Sequence, residues 1–313
     1  MIKIGLLILG GILGLGLGLE LLLRLGLGLG NPPLYVADET MGYRLAPHQR
    51  LRRFGNRIDI NGYSLRNGPI APQPDPGTLR LLLLGDSIVN GGWWTDQAQI
   101  LSARLAQDLA THLPQPPEVL NASANSWGPR NQLAYVQRFG LLGAQGLVWV
   151  LNTDDLFGGE PSSLGVGRDR NYPDRRPPAA LWELYRRYLR PLPLDPLLRD
   201  RPPETGDVVG KNLAALTQLH HMTQTAGIPL VLALTPLRRE LAQESGSRPY
   251  ELEARQRLTQ WVDSSGVPFV DLLPRFNGEP DPLTLYRDHI HLSPQGDRLL
   301  SQTLAHQVAL ILP

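Results

Sequence analysis

This 313-residue chain predicts a three-layer α/β/α body on a five-stranded parallel sheet, preceded by one membrane-spanning helix. Three observations lead there. From residue 79 onward apolar runs alternate with helical patterns, a Gly85-Asp86-Ser87 tripeptide closes the first of those runs, and the N-terminal segment is leucine and glycine with hardly a charge.

That N-terminal segment comes first in the chain. No charged side chain occurs from Ile4 to Leu19, and after Glu20 and Arg24 the same pattern continues to Gly30, where Asn31-Pro32-Pro33 stops it. A span needs about 20 residues, so the stretch is long enough once Glu20 to Arg24 are included. Those two charges stand four apart and can pair on one helix face or sit at the interface. No small-x-small cleavage site follows a short apolar core, which favours a retained anchor over a removed signal peptide. So much glycine weakens a helix in water, which argues against a buried soluble helix. Gly10, Gly14 and Gly18 share a helical face that would let two anchors approach closely, although biased composition alone produces that spacing. Lys3 precedes the segment while Arg44, Arg50, Arg52, Arg53 and Arg57 follow it, so a simple positive-inside count puts the body in the cytoplasm.

Residues 34–70 alternate short apolar stretches with turn residues and read as a β-rich lead-in. The prolines of 71–77 then form an extended connector, and residues 34–78 together link the anchor (1–33) to a body at 79–313. Within the body the expected strands are 79–84, 117–121, 146–151, 228–234 and 267–271. A helix near 97–111 aligns Leu101, Leu105 and Leu109, and a last helix from about Pro294 aligns Leu300, Leu304, Val308 and Ile311. Between the third strand and a helix near 207–226, residues 156–206 break the rhythm with glycines, proline pairs and the aromatic, basic stretch Trp182 to Tyr188. This insertion is placed to roof a site or contact a partner, or simply to pack as a surface excursion.

Composition narrows the chemistry. Thirty basic against 29 acidic residues leave a net charge of +1, which removes the general electrostatic case for a nucleic-acid partner. The sequence has no cysteine, so disulfides, zinc thiolates and a cysteine nucleophile are excluded. A serine, a histidine and an aspartate remain available in Ser87 and in Asp288-His289-Ile290-His291. A serine hydroxyl is a weak nucleophile near neutral pH and needs a base in hydrogen-bond reach plus a third group to set the base's tautomer. A metal reading of Asp288, His289 and His291 lacks further clustered ligands. The remaining histidines (His48, His112, His220, His221 and His306) carry no motif and read as solvated or core residues. Trp93, Trp94 and Trp127 lie near the proposed site in sequence, where they either stack on sugar or acyl groups or fill the core. Gly85 to Gly92 lacks the Lys-Ser or Lys-Thr of a phosphate loop.

The Gly-Asp-Ser turn after a first strand, with a late Asp-x-x-His before a final helix, resembles the GDSL or SGNH hydrolase family over roughly residues 79–311. The resemblance implies a flavodoxin-like sheet and a membrane-anchored member. Residue by residue, it makes Ser87 the nucleophile, His291 the base and Asp288 its orienting partner; His289 inherits no role. Ser87, a glycine after the second strand and an asparagine after the third would then form the oxyanion hole. The position matching that glycine is Ser126, with Asn125 or Gly128 expected to supply the turn. Where the family has Gly-x-Asn-Asp, this chain has Asn152-Thr153-Asp154-Asp155, placing an acceptor-only carboxylate at the donor position. Either Asp154 is protonated or turned away, or Asn152 donates from a shifted position.

The resemblance implies a cofactor-free serine esterase acting through an acyl-enzyme, with an acylated envelope or extracellular polysaccharide as one substrate class and lipid esters as another. It also implies an outward-facing body, against the positive-inside count. An acyltransferase using the same residues and a catalytically weak glycan-binding or assembly protein are the alternatives.

Overall fold

The computed structural model describes residues 2–111, 113, 116–190 and 193–311, so His112 lies outside the described residues. Helix α1 (Ile2–Leu27) projects with most of its apolar side chains exposed; Leu23 alone is buried. Among the described residues it is the one helix long and apolar enough to cross a bilayer. Its C-terminal end meets the body. Glu20 accepts from Arg24 Nε at 2.5 Å and from the Ala180 and Leu181 N–H groups at 2.8 and 2.9 Å, so the two charges do pair.

Two antiparallel hairpins form the lead-in, β1 (Tyr35–Asp38) with β2 (Gly42–Leu45) and β3 (Gln49–Arg53) with β4 (Asn56–Ile60). Their inward residues, among them Tyr35, Tyr43, Leu51 and Ile58, join the main core.

The central sheet comprises β5 (Arg80–Gly85), β6 (Glu118–Ser123), β7 (Gly146–Asn152), β8 (Leu230–Thr235) and β9 (Phe269–Asp271). They lie in the order β6-β5-β7-β8-β9 with every pairing parallel, the five expected runs to within about two residues at each end. Strands covered on both faces bury both sets of alternating side chains, which is why they read as unbroken apolar runs. Leu82, Leu84 and Trp149 face one layer, while Leu81, Leu83 and Val148 face the other.

The helices after α1 are α2 (Ser87–Asn90), α3 (Leu101–Leu109), α4 (Pro129–Phe139), α5 (Ala180–Leu184), α6 (Pro196–Arg199), α7 (Val208–Ala226), α8 (Pro249–Ser265), α9 (Leu272–Asn277) and α10 (Pro294–Ile311). Side chains of α4, α7 and α8 cover the first face; those of α2, α3, α9 and α10 cover the second. Leu101, Leu105 and Leu109 are buried as their spacing predicts, and so are Leu300, Leu304 and Val308, whereas Ile311 is only partly covered. Helix α3 starts later than the expected 97, because Asp96 and the Gln97 side chain hold 96–100 in a turn: Gln97 accepts from Asp59 N and donates to Arg66 O.

Among the described residues of 156–206 there is no strand, and α5 and α6 are the only α-helices. Side chains pin the segment down. Arg53 donates to Glu183 at 2.7 Å in a pair that is almost wholly buried, and Arg130 bonds Glu204 at 2.6 Å.

Candidate active site

The sheet order reverses direction between β5 and β7, and such switch points open a crevice beyond the carboxyl ends of the strands. Ser87 stands there, at the first position of α2. Asp86 caps that helix by accepting from Ile88 N at 2.8 Å. Gly85 is required by crowding, because a Cβ there would lie 2.4 Å from Val89 Cγ2 and 2.8 Å from the Val150 carbonyl. Behind the turn, Asn121 donates to Val89 O at 2.8 Å and Asn90 donates to Ser123 Oγ at 3.3 Å, tying α2 to β6.

The Asp288 to His291 segment forms a closed loop before α10. Tyr286 and Leu292 make an antiparallel bridge, Arg287 N donates to His291 O at 2.8 Å, and Arg238 N donates to His289 O at 3.0 Å. The Ser293 hydroxyl accepts from Gly296 N at 3.2 Å, the helix start its sequence suggests. Gly296 lets the loop close on the helix, since a Cβ there would sit 2.2 Å from Leu285 O.

The two segments meet. His291 Nε2 lies 3.0 Å from Ser87 Oγ, and His291 Nδ1 lies 2.8 Å from Asp288 Oδ2. Burial works against the charge on Asp288, but donations from Ile290 N, His291 N and the imidazole outweigh it and hold the carboxyl below its usual range. A carboxylate only accepts, so Nδ1 carries the proton and Nε2 presents its lone pair to the serine hydroxyl. This geometry allows the hydroxyl proton to pass to the imidazole as the oxygen attacks an electrophile. Asp86 Oδ2 offers Ser87 a second, longer acceptor at 3.2 Å. The histidine that inherited no role, His289, points largely into solvent, with its Nδ1 3.9 Å from Asp288. No cluster of three metal-ligating side chains exists among the described residues.

Ser126 and Asn152 both border the cleft with Ser87. The turn at Ser126 differs from expectation. Neither Asn125 nor Gly128 takes the left-handed conformation; Ser126 itself does, with φ of 57°, while Gly128 is extended. The position that matches a glycine is therefore the one that needs glycine-like freedom. Tyr172 donates to Ser126 Oγ at 2.8 Å, and Tyr43 donates to Asn125 O at 2.6 Å.

Asn152 is heavily engaged. Its Nδ2 donates to Asp86 Oδ2 at 2.9 Å, and its Oδ1 accepts from the Asp154 and Asp155 N–H groups. Asp155 turns inward and accepts from Asn152 N at 3.0 Å. Burial pushes the Asp155 carboxyl well up, with the neighbouring Asp86 adding to it, and burial raises Asp86 as well. Asp154 borders the cleft, and burial raises its carboxyl too, opposed by Arg239 and His289.

The cleft has a volume of about 620 Å³. Trp93 and Trp94 line it, the Trp94 ring standing edge-on to His291 with centroids 4.8 Å apart. Trp127 does not; it is core, 1% exposed, with Nε1 donating to Tyr43 O at 2.9 Å. Arg66, buried against the carbonyls of Asn90, Gly92 and Thr95, braces the loop that bears Trp93 and Trp94. From the insertion come Asn171, Tyr172, Pro173 and Arg187, so part of that segment does enter the site. Sequence reasoning missed Tyr172, Arg187 and Asp86. Tyr172 stands in an aperiodic stretch with no signal, Arg187 lies in the aromatic, basic stretch Trp182 to Tyr188 whose composition stood out without assigning it a role, and Asp86, next to the serine, had a signal in its position.

The molecule is thus a three-layer α/β/α protein whose doubly wound parallel sheet gathers a serine, a histidine and an aspartate beyond the carboxyl ends of its strands. The chain belongs to the GDSL-like lipase/acylhydrolase family, whose model matches residues 83–299, and by that membership it is an esterase of the SGNH type. No curated protein matches it in sequence. Among solved structures it is similar to a lipase/acylhydrolase from Enterococcus faecalis, at 16% identity and a TM-score of 0.47, covering 75% of this chain and 98% of that one. It is also similar to an acetylxylan esterase from Geobacillus stearothermophilus, at 16% identity and a TM-score of 0.48 over 74% of this chain and 94% of that one. A further acetyl xylan esterase shares 13% identity and a TM-score of 0.48, over 75% of this chain and all of that one.

Proposed function

We propose that the chain hydrolyses carboxylic esters through an acyl-enzyme on Ser87. The carrying observation is the hydrogen-bonded series Ser87–His291–Asp288, drawn from segments about two hundred residues apart. In this reading Ser87 Oγ attacks the acyl carbon while its proton passes to His291 Nε2, and Asp288 orients the imidazole and stabilises its charged form. The imidazolium returns that proton to the departing alcohol as the ester C–O bond breaks. Water then repeats the sequence and releases the acid. The N–H groups of Ser87 and Ser126 would face the developing oxyanion, with the second amide hydrogen of Asn152 as third donor. Labelling by a fluorophosphonate tests the assignment. Wild type should label, while Ser87→Ala and His291→Ala should not; undiminished label in Ser87→Ala overturns it.

The substrate reading is an acylated polysaccharide of the envelope or its surroundings. Trp93, Trp94 and Tyr172 border the cleft, and aromatic faces suit sugar rings. Asn125 Oδ1 is buried without a partner beside them, an acceptor suited to a ligand hydroxyl. Release of acetate from an acetylated glycan, measured beside release from a short-chain lipid ester, separates the two substrate classes. One observation favours a second reading, a weakly catalytic glycan-binding protein: Asp154 stands where an oxyanion donor is expected. Glycan affinity without Ser87-dependent turnover would establish it.

We assign residues 1–33 to a single-pass anchor, 34–78 to the lead-in and 79–313 to the catalytic body with its insertion at 156–206, and we place that body outside the cytoplasm. Three of the five arginines behind the positive-inside count have partners in the fold: Arg53 pairs with Glu183, Arg44 lies 3.7 Å from Asp38, and Arg57 lies 3.4 Å from Asp59. Reporter fusions after Pro33 test the orientation.

A further inference from the structure

We propose that residues 180–190, with the basic groove beside them, form a docking surface for anionic phospholipid that seats the body on the bilayer next to α1. The inference rests on reading α1 as the anchor.

Position supports it first. From Ile2 to Leu19 an α-helix rises about 27 Å, close to the roughly 30 Å hydrocarbon thickness, so Glu20 falls at the membrane boundary. Glu20 is the residue that accepts from the Ala180 and Leu181 N–H groups, and Leu23, Leu29 and Ala180 pack together just beyond it. The start of α5 is thereby held at the depth of the headgroups.

Composition supports it next. Trp182, Tyr185 and Tyr188 are 48%, 39% and 42% exposed, and Leu189 is 70% exposed. Aromatic rings with a polar edge favour the interface, and an exposed leucine beside them is costly in water. Arg186 lies over the Trp182 ring at 5.1 Å, and Arg190 is exposed at the end of the segment.

Charge supplies the third argument. The adjoining groove, about 730 Å³, carries Arg168, Arg170, Arg175, Arg176, Arg186 and Arg187. Of its acids, Glu183 is consumed by Arg53, and Asp169, Asp174 and Asp195 leave the rim positive. Basic side chains beside an apolar, aromatic face match an anionic bilayer surface better than a neutral glycan. The groove shares Pro32, Asn171, Pro173 and Arg187 with the Ser87 cleft, so docking would hold that cleft near the membrane.

Because the sequence has no cysteine, single labels can be placed in the full chain. An environment-sensitive fluorophore at Leu189→Cys, and separately at Leu15→Cys and at Gln256→Cys on α8, would be read in nanodiscs of phosphatidylcholine with or without phosphatidylglycerol and with spin-labelled lipid as quencher. Expected are quenching at 15 in both compositions, quenching at 189 that strengthens with phosphatidylglycerol, and none at 256. Arg186→Glu with Arg190→Glu should reduce the signal at 189 to its level in neutral discs, with thermal unfolding as the check on folding. Quenching at 15 but not at 189 overturns the docking surface and leaves the anchor; no quenching at 15 overturns both. A response at 189 to soluble polygalacturonate but not to lipid overturns the lipid assignment in favour of a glycan.

Discussion

Asp154 concentrates the open chemistry of this site at a single residue. An ionised carboxylate facing an oxyanion opposes it, and loss of one hole donor typically costs about a hundred- to a thousandfold. Asp154→Asn replaces that charge with an N–H donor, so kcat on an activated ester should rise, by about tenfold or more. An unchanged or lower kcat would show that the carboxyl does not face the reacting oxygen. The same residue predicts a pH dependence of stability. Its folded pKa is raised, so the protonated form is favoured by the fold; stability is full below the usual value of about 3.9 and falls as pH rises through the raised folded value. Asp154→Asn should therefore melt above wild type at pH 7 and level with it near pH 3. Asp288 has the opposite sign. Its depressed carboxyl stabilises above the usual pKa, and the contribution is lost as pH falls through the folded value. Asp288→Asn should keep the fold at pH 7 but lower kcat by several orders of magnitude, as expected when the tautomer is no longer set.

At the scale of elements, the contrast between periodic and aperiodic segments decides what could be foreseen. The five strands follow from apolar period and length and emerge from sequence within about two residues, as do α7 and the start of α10; α3 starts four residues later than its pattern suggests, and α4, α8 and α9 have no counterpart in the sequence reading. The insertion follows from no such pattern. Its course depends on single long-range contacts, among which Arg53 with Glu183 is more deeply buried than Arg130 with Glu204, its side chains 2% and 7% exposed and 130 positions apart. Removing one partner of such a pair strands a buried charge and costs about 3 to 5 kcal/mol. Glu183→Ala should loosen α5, and limited proteolysis should cut first within 160–190. Resistance equal to wild type would mean that the Glu20 and Arg130 contacts hold the segment without this pair.

Across the whole molecule, one sheet separates two apolar layers. Leu216 belongs to the layer of α7 and Leu300 to that of α10, each fully buried. Truncating either to alanine should cost about 2 to 5 kcal/mol. Because the sheet stands between them, the double variant should equal the two single changes added together to within about 0.5 kcal/mol in denaturant unfolding. A larger departure would mean that strain crosses the sheet. The same separation explains how the site is built: the switch point between β5 and β7 delivers Ser87, and the loop before α10 delivers His291 from the far end of the chain.

The sequence by itself determined the strands of the sheet, the last helix and the apolar N-terminal helix, because each is written in local period, and two short motifs with a family resemblance nominated Ser87, Asp288 and His291; that these three meet was decided by the fold. Only the tertiary structure decided that Ser126 takes the left-handed turn, that Asn152 is engaged by Asp86, and that Tyr172 and Arg187 enter the cleft while Trp127 leaves it for the core. Those outcomes depend on which polar groups find partners across the fold, and hydrogen bonds between distant residues leave no trace in local pattern.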